Sequence, residues 1–368
     1  MQQAALRNFP WHYIKRIFID FGYHRTMKIF TIVYFILYSG SLLLDLYYLF
    51  NNFSIAAMVR YGCMIMLISY VIAGMLFCFI FEKQLLNLLS EAETIFWPPE
   101  MITSELPKFI HRTNVLNYFI IAWFGLLGVI LFPVWGDQSE WFLNVWAYKA
   151  YFGSWWYIPY NLFYYSQPMA AWTCVRLPFI MMYFSLQIKL QIFLLNQQIL
   201  EIPKGHNTNS ETAPDDLSYQ EAVSQKMCLC ISHNVKIKRW TKSFLRKVIQ
   251  AMPVFVLLGI LGSIFVTFSV LYSFESTSTI LKIRLVVVVG CTILSVYMFV
   301  EGSQRLCDES SQMFEMLAYS PWYLYNKNNR RILLTFMTNT LEPITITWGG
   351  IILNYNFGLT VRLQTIDL

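Results

Sequence analysis

Few charged or nucleophilic side chains stand inside the apolar runs of this sequence, so those few say most about its chemistry. Arg176 lies about two turns into the run that begins at Pro168. An ionised group at that depth is costly unless it is paired or wet, which makes Arg176 a candidate functional residue. Two placements fit it equally: facing a water-filled cavity, or snorkelling toward the membrane interface. Pro178, two residues on, removes a backbone donor and bends a helix. Asp45 stands near one end of the run Ile29–Phe50, and Glu301 closes the run Ile283–Val300. Proton-coupled carriers need buried acids and broken helices in repeated halves; acids are nearly absent from these runs and no internal repeat is visible. Cys228, Cys230 and His233 resemble a partial metal site, but closed zinc sites take four ligands and no fourth is evident. His233 has no catalytic partner and reads as structural. No nucleophile elbow, P-loop, His-Glu-x-x-His or dinucleotide fingerprint occurs. Enzyme and carrier chemistry are both disfavoured, and no cofactor is implied.

The elements that hold these residues are membrane elements. Of 368 residues, 57% are hydrophobic and 13% charged, against about a quarter charged in soluble proteins. Such a chain cannot cover a soluble surface. Seven apolar segments are expected: Ile29–Phe50, Ala56–Phe81, Val115–Trp135, Pro168–Leu195, Val248–Tyr272, Ile283–Val300 and a weaker last one from Trp348 to the terminus. A span takes about 20 residues, which the first six meet or nearly meet. The expected fold is therefore all-α, a single polytopic domain. Seven cysteines show no secreted disulfide framework. No cleavable signal peptide is read, and the first run acts as a signal anchor.

Basic residues mark the topology. They cluster in the N-terminal 26 residues, in 82–114, in 196–247 and in 302–340, while 51–55 has none, 136–167 only Lys149 and 273–282 only Lys282. Positive loops stay inside, so the N-terminus is expected in the cytosol and the seventh segment ends outside. The net charge of +6 thus marks topology and is no nucleic-acid signal. The sequon Asn52-Phe53-Ser54 falls in a loop assigned outside. Residues 1–26 mix Arg7, Lys15, Arg16 and Arg25 with Phe9, Trp11, Ile14 and Phe18, a pattern for an amphipathic helix on the inner surface. Loop 136–167 is dense in Trp and Tyr, suiting an interfacial belt or a lid over a cavity. The inner insert 196–247 is polar over Asn207–Asp216, then helical from Leu217 into the fifth span.

The C-terminal part gathers a set of landmarks in order: Gly302, Leu306, Glu309-Ser310, Ala318, Tyr319, Trp322-Tyr323, Arg330-Arg331, Leu334, Met337, Pro343 and Gly349-Gly350. That order, with Cys230-Ile231 and His233 before the fifth span, resembles the insect odorant receptor family. The resemblance implies seven helices with the N-terminus inside and a split seventh helix. It implies an odorant-gated, nonselective cation channel assembled with a coreceptor as a heterotetramer in the plasma membrane of sensory neurons. It also implies a pocket for a volatile hydrophobic odorant between the outer halves of the second, third, fourth and sixth spans. There the candidate walls are Tyr61, Ile65, Ile68, Phe124, Leu127, Leu131, Trp172, Thr173, Arg176, Val288 and Thr292; taken singly, such residues only face lipid or pack on neighbours. The cytosolic anchor, 301–340, would use Trp322, Tyr323, Arg330, Leu334 and Met337. The pore helix would start within 341–368 and carry Tyr355, Leu359 and Arg362. From Asn354 to Leu368 a helix is about 22 Å long against about 30 Å of hydrocarbon, so the family's pore helix is expected to be short here. A gustatory receptor shares the layout but ends in a Thr-Tyr…Gln-Phe pattern not seen here. A G-protein-coupled receptor needs the opposite topology.

Overall fold

The computed structural model describes residues 11–98, 106–130, 132, 134–202, 214–273, 278–345, 347–348 and 351–352. Almost all are helical. After an N-terminal helical segment, His12–Asp20, come α1 (Arg25–Asn51), α2 (Ile55–Ile80), α3 (Glu82–Ile95) and α4 (Leu106–Ile130). Two short helices, α5 (Asn144–Phe152) and α6 (Tyr157–Tyr165), form a cap over one end of the bundle. Then follow α7 (Gln167–Glu201), α8 (Leu217–Ser273), α9 (Thr279–Ala318) and α10 (Lys327–Thr340). Among the described residues side-chain caps start four of them: Ser54 Oγ accepts from Ala57 N at 3.1 Å, Asp216 Oδ1 from Ser218 N at 3.0 Å and Tyr219 N at 3.1 Å, Ser278 Oγ from Leu281 N at 3.3 Å, and Asn326 Oδ1 from Asn329 N at 2.9 Å.

Among the described residues, six helices are long and apolar enough to cross a membrane. They coincide with the first six expected segments. In a bilayer, lipid is as apolar as Leu, so helix association rests on packing and hydrogen bonds. The distribution of burial follows that rule. The apolar window of α7 is 78% buried, whereas that of α8, Pro253–Leu271, is 6% buried. Helix α7 is the bundle's core, and the last third of α8 presents its apolar side chains outward. Helix α1 buries only a stripe that includes Tyr38, Ser41, Asp45 and Leu49.

Away from the cap, polar side chains stitch the helices together. Lys189 pairs with Glu309 at 3.7 Å, and Asn196 Nδ2 donates to the Glu309 carbonyl at 3.2 Å, joining α7 to α9. Asn329 Nδ2 donates to both the carbonyl and the Oε1 of Gln220 at 2.8 Å, clamping α10 to the start of α8. Replacing Asn329 by Leu removes both bonds, while the Gln220 Oε1 keeps the Asn326 N–H at 2.9 Å, so the cost is about 0.5–1.5 kcal/mol per bond lost. The expected result is faster hydrogen exchange along α10 with α2 and α7 unchanged; equal exchange in α10 would refute the clamp.

The N-terminal segment buries Trp11, Ile14, Phe18 and Ile19 in the protein, packed against α7, and leaves Ile17 and Phe21 exposed. Thr347–Trp348 and Ile351–Ile352 pair as two-residue antiparallel strands. Tyr355, Leu359 and Arg362, the expected pore residues, lie outside the described residues.

Candidate ligand-binding site

A cleft of about 610 Å³ opens sideways between α4 and α7, with Phe18 of the N-terminal segment as part of its wall. That volume falls within the ~300–1,000 Å³ range of small-molecule sites. Helix α4 contributes Ile121, Phe124, Gly125, Gly128 and Val129; helix α7 contributes Ala171, Trp172, Val175 and Phe179. Helical spacing explains the sets: 121, 125, 128 and 129 share one face, as do 168, 171, 172, 175 and 179. Two glycines on α4 leave the space. A Cβ at Gly125 would meet nothing within 4 Å, and one at Gly128 would only touch Ala171 at 3.8 Å. Phe18 stacks on Phe179 at 4.2 Å, and Phe124 meets Phe179 edge-on at 5.7 Å. No charged side chain lines the cleft. The indole nitrogen of Trp172 is buried and has no hydrogen-bond partner, whereas that of Trp135 donates to the Val129 carbonyl at 3.1 Å.

Arg176 holds the N-terminal wall in place. Its Nε donates to the Phe18 carbonyl at 3.1 Å, and its guanidinium lies 4.3 Å from the Tyr23 ring centroid and 5.1 Å from that of Trp172. It neither faces a wet cavity nor snorkels; it is 3% exposed. Gly22 makes the fit possible, because a Cβ there would stand 2.5 Å from the Arg176 Nε.

The structure distributes the expected pocket residues unevenly. Phe124 and Trp172 line the cleft. Ile68, Leu127 and Val288 are buried in the main core. Tyr61 and Ile65 join Leu49 and Leu143 in a smaller apolar cluster, and the Tyr61 hydroxyl donates to the Ser139 carbonyl at 3.0 Å. Thr173 faces α2 at Gly74 and donates to its own helix, to Met169 O at 2.9 Å. Thr292 is exposed, its hydroxyl donating to Val288 O at 3.0 Å. Leu131 lies outside the described residues.

The cap resolves the aromatic loop into two populations. Trp141, Phe142, Tyr148, Phe163 and Tyr164 are buried as a plug, while Trp155, Tyr157 and Tyr165 are exposed as a rim. The loop thus holds an inward-packed and an outward-facing aromatic set, built from different residues. The plug is fastened by a residue that the sequence analysis did not single out. Arg284 of α9 donates from Nε to Ile130 O at 3.1 Å and from Nη2 to Trp135 O at 2.7 Å, beneath the Trp141 ring.

At the opposite end, Arg330 donates to the carbonyls of Trp322, Tyr323 and Tyr325, holding the turn between α9 and α10. Trp322, Tyr323 and Leu334 are 53%, 60% and 63% exposed, and Met337 is half-buried. These side chains form an apolar surface of the isolated chain. A second hollow, about 390 Å³, lies beside Tyr319, but Gln312 and Glu315 contribute to its lining, so it suits an apolar ligand less well.

A helical bundle with several helices long and apolar enough to cross a membrane, and with an apolar cleft between two of them, is the arrangement of a multi-pass membrane protein. The family model described as 7tm Odorant receptor matches residues 84–359, and the chain belongs to that family. No curated protein sequence matches it significantly. Among solved structures, it is similar to the insect olfactory receptor OR5 from Machilis hrabei, with a TM-score of 0.68 at 12% identity, covering 94% of this chain and 88% of that one. The same receptor in complex with eugenol gives a TM-score of 0.61 at 12% identity, covering 100% and 98%.

Proposed function

We propose that the chain is an olfactory receptor subunit that binds a volatile hydrophobic molecule in the α4–α7 cleft. Binding gates a nonselective cation channel formed with a coreceptor subunit in a heterotetramer, in the plasma membrane of sensory neurons. The observation that carries the reading is the cleft itself: an apolar, aromatic-walled space of small-molecule size. Such a lining favours a small apolar ligand. The eugenol complex of the related receptor supports a ligand of that size. A ligand shifts gating only if it prefers the open state. The exposed Trp322, Tyr323 and Leu334 supply the subunit contact, and the distribution of Lys and Arg supports a cytosolic N-terminus in a seven-span topology.

Whole-cell recording from cells co-expressing the chain and an odorant-receptor coreceptor tests this, with an odorant panel and G-protein signalling blocked. Odorant-evoked cation current is expected. Silence with surface expression confirmed, or an N-terminal tag accessible on unpermeabilised cells, would overturn it. The Gly125→Leu variant places a side chain into the cleft without a clash. It is expected to reach the surface normally and to need about 10-fold or more odorant for the same current. An unchanged dose–response would move the ligand elsewhere.

A further inference from the structure

We propose that the cluster of buried polar groups around Asp45, beneath the cap, is a binding site for an organic ammonium group. It is separate from the α4–α7 cleft and does not rest on channel gating. Helix α1 turns Ser41, Asp45 and Leu49 inward, one turn apart on one face. The cap meets that face: the Ser41 and Tyr148 hydroxyls are hydrogen-bonded at 2.6 Å, and Leu143 packs with Leu49. Asp45 lies between these two contacts, within electrostatic range of both Tyr148 and Tyr164.

The residue is 1% exposed, yet neither of its carboxyl oxygens has a hydrogen-bond partner. Among the described residues no Lys or Arg forms an ion pair with it. The Tyr164 hydroxyl is also buried and unpartnered. The Asn144 amide approaches the Tyr148 hydroxyl without reaching bonding geometry. Native proteins leave few buried polar groups unpaired, and here several converge on one spot.

Their chemistry selects the ligand. The Asp45 carboxyl can ionise when a cation pairs with it, and the Tyr164 and Asn144 oxygens accept hydrogen bonds. An ammonium group with N–H donors satisfies both. A neutral alcohol offers the carboxyl no charge partner. A bare divalent ion seeks six or more hard oxygens, more than one carboxylate and its neighbours provide.

The test uses the full chain in lipid nanodiscs with propylammonium as probe and propan-1-ol as its neutral isostere. Saturable calorimetric binding of propylammonium, with none for propan-1-ol, is expected. Asp45→Asn should weaken it about 10- to 100-fold. Its thermal midpoint should stay near that of the parent, because Asp45 makes no hydrogen bond or ion pair for the substitution to break. If that variant does not fold, Tyr164→Phe serves in its place, with binding expected to weaken several-fold. Equal binding of alcohol and amine, full binding by a folded Asp45→Asn protein, or the same signal from sodium chloride alone would each overturn the site.

Discussion

Replacing Arg176 by Met is expected to release the N-terminal segment from the bundle. The guanidinium bonds the Phe18 carbonyl and rests on two aromatic rings. Losing the bond strands a buried carbonyl, about 1–3 kcal/mol, and each cation–π contact adds about 0.5–2 kcal/mol. Against this, removing a buried charge recovers desolvation energy. A net shift of roughly 2 kcal/mol raises the released fraction about 30-fold. Trypsin cleavage at Lys15, Arg16 or Arg25 should accelerate by a similar factor in detergent. Lys should not rescue, since an ammonium cannot bond the carbonyl and stack on both rings at once. Gly22→Leu, which drives a side chain into the guanidinium, should give the same phenotype without removing the charge. Combining the two should add little, the signature of one shared interaction. Because Phe18 walls the cleft, odorant potency should fall in both variants. Cleavage at the parent rate in Arg176→Met would refute the clamp.

The sequence made the helices legible and their partners only partly so. Six spans follow from apolar runs, because hydropathy over ~20 residues is a local property. The continuous α8, running from Leu217 through His233 into the fifth span, was legible for the same reason. What Arg176 does was not, since its acceptor, Phe18, lies 158 positions away and no local pattern encodes that pairing. Arg284 likewise reveals no role until the carbonyls of Ile130 and Trp135 are seen beside it. The cleft shows the same limit. Phe124 and Trp172 line it, but the gap between α4 and α7 depends on Gly125 and Gly128, which carry no side chain to mark a wall. Tyr61 was misleading in type: an aromatic with a hydroxyl fits a ligand wall and fits equally a bond to a loop carbonyl.

Acidification is expected to destabilise the protein through His233. Its ring stacks on Trp97 at 3.7 Å between centroids, and its Nε2 lies 3.1 Å from Gln191 Oε1. That oxygen also accepts from Trp97 N at 2.8 Å, while Gln191 Nε2 donates to Trp97 O at 3.1 Å. The amide is thereby oriented with its oxygen toward the ring, so His233 donates from Nε2 and is the Nε2–H tautomer when neutral. Burial first, and the positive charge of Lys236 second, push its pKa down to about 4. In the unfolded chain it titrates near 6.5. Between those values the unfolded chain binds the extra proton, so stability falls as the pH falls. The contribution is fully present above about pH 6.5 and is lost on acidification through about pH 4. Its size is at most about 3 kcal/mol, enough to move a thermal midpoint by several degrees. Carboxylates titrate in the same range, so the informative quantity is a difference. His233→Phe keeps the stack on Trp97 and removes the titration. The gap in unfolding free energy between parent and variant should therefore shrink or reverse from pH 7 to pH 4. Parallel curves for the two proteins would show that His233 is not held neutral by this packing.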